Sequence, residues 1–215
     1  MPTKNLPALL FLGAMSLPIA FAQAPIPELR IEPTGGGSFF YVKNTYTQPL
    51  TAYLIELVDY PGSSFAMWQD EISGHPIMPG EEKTIKVANM TVGAVPDYVK
   101  MRAAIYADGS TAGIPAKLTQ LIERRRYTLE TTRELIRRVE KATGKDDLIA
   151  NLKQWDESLQ PQRKPNRNSQ TYINQEAGRM LIGSIVSRLQ SSTPQQVLAG
   201  LKLSEQLLTN SKPAL

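Results

Sequence analysis

The residues that could do chemistry gather between Asp59 and His75. Asp70 and Glu71, with Asp59 upstream, bring the carboxylates that a glycosidase or a calcium site requires. A glycosidase, however, sets two carboxylates facing each other across a cleft, not side by side along the chain. A calcium loop of EF-hand type spaces alternating oxygen ligands around a fixed glycine, and that spacing is missing. His75 is the single histidine and lies in Gly74-His75-Pro76. A Ser-His-Asp triad needs it beside an activated serine, and no Gly-x-Ser-x-Gly elbow exists here; it reads as loop surface. Asp108-Gly109-Ser110-Thr111 offers too few ligands for a cation and reads as a turn leaving a strand. There is no phosphate loop, dinucleotide fingerprint or zinc-binding helix motif. The expectation is no catalytic residue, no metal and no cofactor.

The most unusual segment runs from Tyr60 to Glu71 and reads as a loop. Tyr60, Phe65 and Trp68 stand beside Gln69, Asp70 and Glu71, a mixture that stacks on sugar rings or anchors a peptide. Tyr60, Phe65, Trp68, Asp70 and Glu71 are therefore the candidate ligand-binding residues. The competing reading is that Phe65, Met67 or Trp68 closes one end of a core.

A second constellation is basic. From Lys117 to Lys141, eight basic residues meet four acidic ones. Glu130 with Arg133, and Glu134 with Arg137 or Arg138, stand three or four apart, which favours a solvated, salt-bridged helix face. The competing reading is a patch for anionic lipid, lipopolysaccharide or glycan through Arg124, Arg126, Arg133, Arg137 and Lys141. Arg125 interrupts the apolar stripe of this helix and is expected to pair with a carboxylate from the first half of the chain.

The elements that must position these groups follow two grammars. In the first half, Leu29 and Ile31 alternate with Arg30 and Glu32, Phe40 and Val42 with Tyr41 and Lys43, and Ile85 and Val87 with Thr84 and Lys86. Tyr53, Ile55 and Leu57 share one face, as do Val99, Met101, Ala103 and Ile105. Successive strand side chains point to opposite faces, so these are half-buried antiparallel strands. Turn residues separate them: Pro33 to Gly37, Gln48-Pro49, Pro61-Gly62, Pro79-Gly80 and Asp108-Gly109. Six or seven short strands without a helix signal predict a β-sandwich over residues 27–110.

The second half, 114–211, has a helical period. A long helix from Ile114 to Ala142 carries Pro115 in its first turn and Gly144 past its end. A second, with Asp146 as N-cap, spaces Leu148, Leu152, Trp155 and Leu159 along one side. Residues 160–169 hold no apolar residue but proline and read as an exposed linker. A third helix, about Gln170 to Gln190, is expected to bury Ile173, Ala177, Met180, Leu181, Ile185 and Leu189. A fourth opens on Thr193-Pro194-Gln195-Gln196, a capping box, and buries Val197, Leu198, Leu201 and Leu208. Short amphipathic helices cannot stand alone in water, so they pack as a bundle or against the strands. The fold class is α+β.

Composition bounds the setting. Leu6 to Ala20 is an apolar run after Lys4, and Ala20-Phe21-Ala22 gives the small-x-small pattern of a cleavage site. Residues 1–22 therefore read as a signal peptide cut near Ala22, rather than a retained anchor, because a span needs roughly 20 apolar residues. The 215 residues contain no cysteine, which excludes disulfides, thiolate metal sites and a cysteine nucleophile, and leans towards a bacterial periplasmic or extracellular protein. The net charge of +4 neither requires nor excludes an anionic partner. Export and the lack of aromatic–basic interleaving argue against nucleic acid. Asn89-Met90-Thr91 is a glycosylation sequon with meaning only in a eukaryotic secretory route.

Val42-Lys43-Asn44, Leu54-Ile55-Glu56-Leu57 and Ile77-Met78-Pro79-Gly80-Glu81-Glu82-Lys83-Thr84-Ile85 resemble bacterial extracellular immunoglobulin-like domains of the adhesion-related, CARDB-like type. In these an asparagine closes an early strand and a Pro-Gly-Glu turn precedes a late one. The resemblance covers residues 27–110 and implies a seven-stranded sandwich with a binding or spacing role. It carries no catalytic residues and does not reach the helical half.

The functional expectation is an exported, non-catalytic binding or assembly module of the bacterial envelope. It contacts an envelope or extracellular protein or glycan, and touches a membrane at most peripherally. The alternative is a secreted polysaccharide or cell-wall hydrolase using Asp70 or Glu71.

Overall fold

The structure is a computed structural model that describes residues 24–59, 65–88, 96–161 and 165–215. The expected signal peptide, Tyr60, the sequon and residues 162–164 of the expected linker lie outside the described residues. Among the described residues no helix is long and apolar enough to cross a membrane.

Seven described strands come first: β1 (Glu28–Thr34), β2 (Gly37–Lys43), β3 (Leu50–Leu57), β4 (Ala66–Asp70), β5 (Glu82–Ala88), β6 (Val99–Tyr106) and β7 (Thr111–Gly113). Four helices follow: α1 (Pro115–Lys141), α2 (Lys145–Ser158), α3 (Gln170–Ser191) and α4 (Pro194–Thr209). The α+β class expected from the two grammars is what the chain adopts. The strands form two antiparallel sheets, in the orders β1-β2-β5 and β4-β3-β6-β7.

Burial explains the assignment. Strand β5 alternates strictly between exposed and half-buried residues, as a strand with one wet face must. Strand β3 is buried at every residue from Leu50 to Glu56, because both of its faces are covered. On one face Tyr53 and Ile55 join Phe40 and Val42 of β2 in a core shared by the two sheets. On the other, Ala52 and Leu54 join Ala103 and Ile105 of β6 beneath Leu118, Leu121 and Ile122 of α1. The far end of α1 feeds a third core, in which Leu135, Ile136 and Val139 meet Leu148 and Leu152 of α2, Ile182 and Ile185 of α3 and Val197 and Leu201 of α4. A helix of 27 residues is about 40 Å long, enough to lie on the sheet and still reach the bundle.

The joint between sheet and helix is Gly113. Its φ is +107°, and a Cβ there would sit 2.2 Å from the Arg102 carbonyl oxygen, so only glycine fits.

Four expectations change. Residues 66–70, read as loop, form β4, paired Leu54↔Trp68 and Ile55↔Met67 with β3. Strand β7 follows the Asp108 turn and pairs Ala104↔Ala112. A one-turn 3₁₀ helix, Pro96–Tyr98, precedes β6 where only strands were expected. The N-cap of α2 is Gly144, with Asp146 and Asp147 inside the first turn, where a carboxylate favours the helix dipole. The capping box at Thr193 forms as read: its hydroxyl accepts from Gln196 N–H, and the Gln196 side chain accepts from Thr193 N–H.

Candidate binding cleft

The edge strand β4 and the helix α3 form the two walls of a cleft of about 630 Å³, in the range of ordinary ligand sites. The β4 wall contributes Phe65, Met67 and Trp68, and the α3 wall Tyr172, Glu176 and Met180. The last three are spaced four apart, which puts them on one stripe of the helix. Met180 was expected in the core of α3; it is 67% exposed, and Ile182 is buried in the bundle instead. The stripe therefore turns away from Met180 and leaves an apolar side chain on the cleft rim.

Charges at the cleft are mostly matched. Glu56 receives Lys117 Nζ at 2.6 Å and Arg102 Nε at 3.5 Å; the second contact is an ion pair too long for a good hydrogen bond. Glu176 accepts from Arg179 Nη1 at 2.9 Å. Among the charges of the lining that are withdrawn from water, Arg124 is the exception. It is half-buried on the cleft wall, and among the described residues its guanidinium has no ion pair and no hydrogen bond. Burial lowers its pKa from the ordinary arginine value, opposed by the charge of Asp70. No hydrogen bond or ion pair joins Arg124 to Asp70, whose oxygens accept from Arg125 and from Ile72 N–H.

That Arg125 pairing fulfils the expectation for the residue that breaks the apolar stripe. Arg125 is 1% exposed. Its Nε donates to Asp70 Oδ2 at 2.8 Å and its Nη2 to Asp70 Oδ1 at 3.1 Å. Nη2 also donates to Thr51 Oγ1 at 3.2 Å, and Nη1 to the Lys212 carbonyl at 3.1 Å. A buried guanidinium is tolerated only when its donors are used, and here each nitrogen has an acceptor.

The structure separates the other candidate ligand-binding residues. Alternation along β4 sends Trp68 and Asp70 towards α1, while Phe65 and Met67 pack on the core between the sheets. The rings of Phe65 and Phe40 meet edge to face, centroids 6.0 Å apart. Phe65 and Trp68 thus do not form one stacking platform, although both reach the cleft wall. Glu71 is 8% exposed and pairs with Lys83 of β5, tying one sheet to the other. Burial first, and then the charge of Glu71, raises the pKa of Tyr53, whose hydroxyl is buried without a hydrogen-bond partner among the described residues. His75 is exposed in a loop.

The basic residues of α1 also divide. Arg124 turns to the cleft. Arg126 pairs with Glu123, Arg133 with Glu205 of α4 and Arg137 with Glu134. Lys141 is exposed at the last residue of α1. Arg138 bonds Glu134 at 2.7 Å, as its spacing predicts, and also lies 4.4 Å over the ring of Trp155. The cleft itself had no sequence signal, because its α3 wall lies about a hundred residues beyond β4 along the chain. No family model, curated protein or solved structure matches the chain.

Proposed function

We propose that the protein is an exported, non-catalytic binding or assembly module of the bacterial envelope, and that its ligand occupies the cleft between β4 and α3. The observation that carries this reading is Arg124: a guanidinium held half out of water on the wall of a cleft, with no partner of its own among the described residues. Folded proteins pair such groups, so a missing partner points to a ligand.

In this reading the seven strands are an immunoglobulin-like sandwich. The strand orders support it: β1-β2-β5 corresponds to A-B-E, and β3-β6-β7 to C-F-G with β4 added beside C. The sandwich supplies a stiff wall and the helices supply the other. Asp70 and Glu71 are each neutralised by a cation, Arg125 and Lys83, which supports a structural role for these acids over hydrolysis through them. The apolar run Leu6 to Ala20 and the Ala20-Phe21-Ala22 site support export to the periplasm or beyond, where the partner is an envelope or extracellular protein or glycan.

The test is a photo-crosslinking amino acid placed at Met180, on the cleft rim, or at Leu203, exposed on α4. In intact cells, discrete adducts from position 180 and none from 203 are expected. No adduct at 180, or the same adducts from both positions, would overturn the cleft as the binding site.

A further inference from the structure

The β4 wall of the cleft is an open sheet edge. Leu57 N–H donates to the Phe65 carbonyl at 2.9 Å, and Glu71 N–H to the Thr51 carbonyl at 2.7 Å. With the register Met67↔Ile55 and Gln69↔Tyr53, residues 65, 67, 69 and 71 turn their backbone groups to β3. Antiparallel bonding alternates along a strand, so Ala66 and Trp68 turn their N–H and C=O outward. Among the described residues nothing hydrogen-bonds to those groups. An unpaired edge is a template for another extended chain, and this one looks across the cleft at the stripe of Tyr172, Glu176 and Met180.

Charge specifies what that chain carries. Of the cations on the cleft wall, Lys117 and Arg102 are spent on Glu56, and Arg167 is exposed to water, which satisfies it without a partner. Arg124 is the half-buried cation of the lining without an ion pair among the described residues. Every Asp and Glu of the sequence falls within the described residues: 1–23, 60–64, 89–95 and 162–164 contain none. The undescribed segments of this chain therefore bring no carboxylate to Arg124.

We propose that the cleft takes an extended peptide segment of a partner protein, which adds as a strand to the free edge of β4 and sets an acidic side chain against Arg124. This rests on the cleft being the binding site and narrows its ligand to a peptide. Main-chain bonds to Ala66 and Trp68 supply affinity with little regard to sequence. The carboxylate fixes register, since a guanidinium–carboxylate pair is directional and strong where water is thinned out. The apolar side chains of the peptide meet Met180 and Trp68, so the segment reads as alternating apolar and polar residues with one acid.

The probes are capped peptides of about seven Val and Thr residues, long enough to span β4, with one Asp moved through every position. Binding to the full chain is followed by calorimetry. The best peptide is expected to weaken about tenfold or more when its Asp becomes Asn, or when Arg124→Gln is used. N-methylation of alternate backbone nitrogens in the peptide should abolish binding, and bound peptide should slow hydrogen exchange at the amides of Ala66 and Trp68. Arg124→Glu should reverse the preference, favouring a Lys peptide over the Asp one. Unchanged affinity of the N-methylated peptide overturns strand addition, and equal affinity of Asp and Asn peptides overturns the role of Arg124. Binding by no peptide of the set overturns the proposal; glycan or lipid adducts from the crosslinker at position 180 would then leave the cleft a binding site for another ligand.

Discussion

Arg125 and Asp70 are 55 residues apart in the chain and meet as a fork, Nε on Oδ2 and Nη2 on Oδ1. The pair joins the helix to the edge strand of the sheet at the point where the chain changes from strands to helices. It also removes the acid at Asp70 from solvent chemistry and leaves the adjacent Arg124 alone. The same contact thus locks the scaffold and charges the cleft.

Breaking one side of this pair strands a buried charge. Arg125→Met or Asp70→Asn is expected to cost about 3–5 kcal/mol, measured as the urea midpoint at constant slope. The double replacement Arg125→Met with Asp70→Asn should cost less than the two single changes added together. Additive costs in the cycle would show that the two side chains do not depend on each other.

Tyr106 gives a pH signature. Its hydroxyl donates to the Pro25 carbonyl, and burial, with a smaller contribution from Tyr46, raises its pKa from 10.0 to about 12. The neutral phenol is the form the fold favours. This contribution is fully present below about pH 10, where the unfolded tyrosine begins to ionise, and is lost as pH rises through the folded value near 12. Tyr53, shifted the same way, adds to the fall. Unfolding midpoints at pH 8, 10 and 11 should drop less steeply for Tyr106→Phe than for the parent; parallel curves would contradict the assignment.

Two glycines should respond with opposite sign. Gly113→Ala puts a methyl into the Arg102 carbonyl at positive φ and should destabilise by more than about 2 kcal/mol. Gly183 lies exposed within α3 with nothing within 4 Å of an added Cβ, so Gly183→Ala should stabilise by about 0.5–1 kcal/mol. Thermal unfolding of both variants decides it.

The sheet needs its helix. Ala52, Leu54, Ala103 and Ile105 are at most 1% exposed, and α1 is what covers them. Residues 24–113 expressed alone should therefore self-associate or fail to fold, because an apolar sheet face left open is an association surface. A monomeric, cooperatively unfolding fragment by sedimentation and calorimetry would show that α1 is dispensable.

Strand alternation and helical period were legible because each reports one face of one element: Ile85 and Val87 against Lys86, or Leu148 and Leu152 a turn apart. The Thr193 box was legible because it is local. Arg125 was legible as an anomaly, a charge within an apolar stripe, and its partner could be named as a carboxylate though not as Asp70. Strand β4 was not legible, because its five residues carry Gln69 and Asp70 where alternation expects apolar groups; Asp70 is inside only by virtue of Arg125. Met180 misled for the complementary reason: its period fits the core, yet the neighbouring Ile182 fills that place. The cleft was out of reach, since it exists only where β4 and α3 come to face each other.

The Lys212 carbonyl is the remaining acceptor of Arg125, and the Lys212 side chain lies against the turn at Gly109. A ribosome makes residues 51, 70 and 125 long before residue 212. Until that stretch arrives, Nη1 has only water in place of the Lys212 carbonyl. The Arg125 network therefore closes only with a residue made 87 positions later.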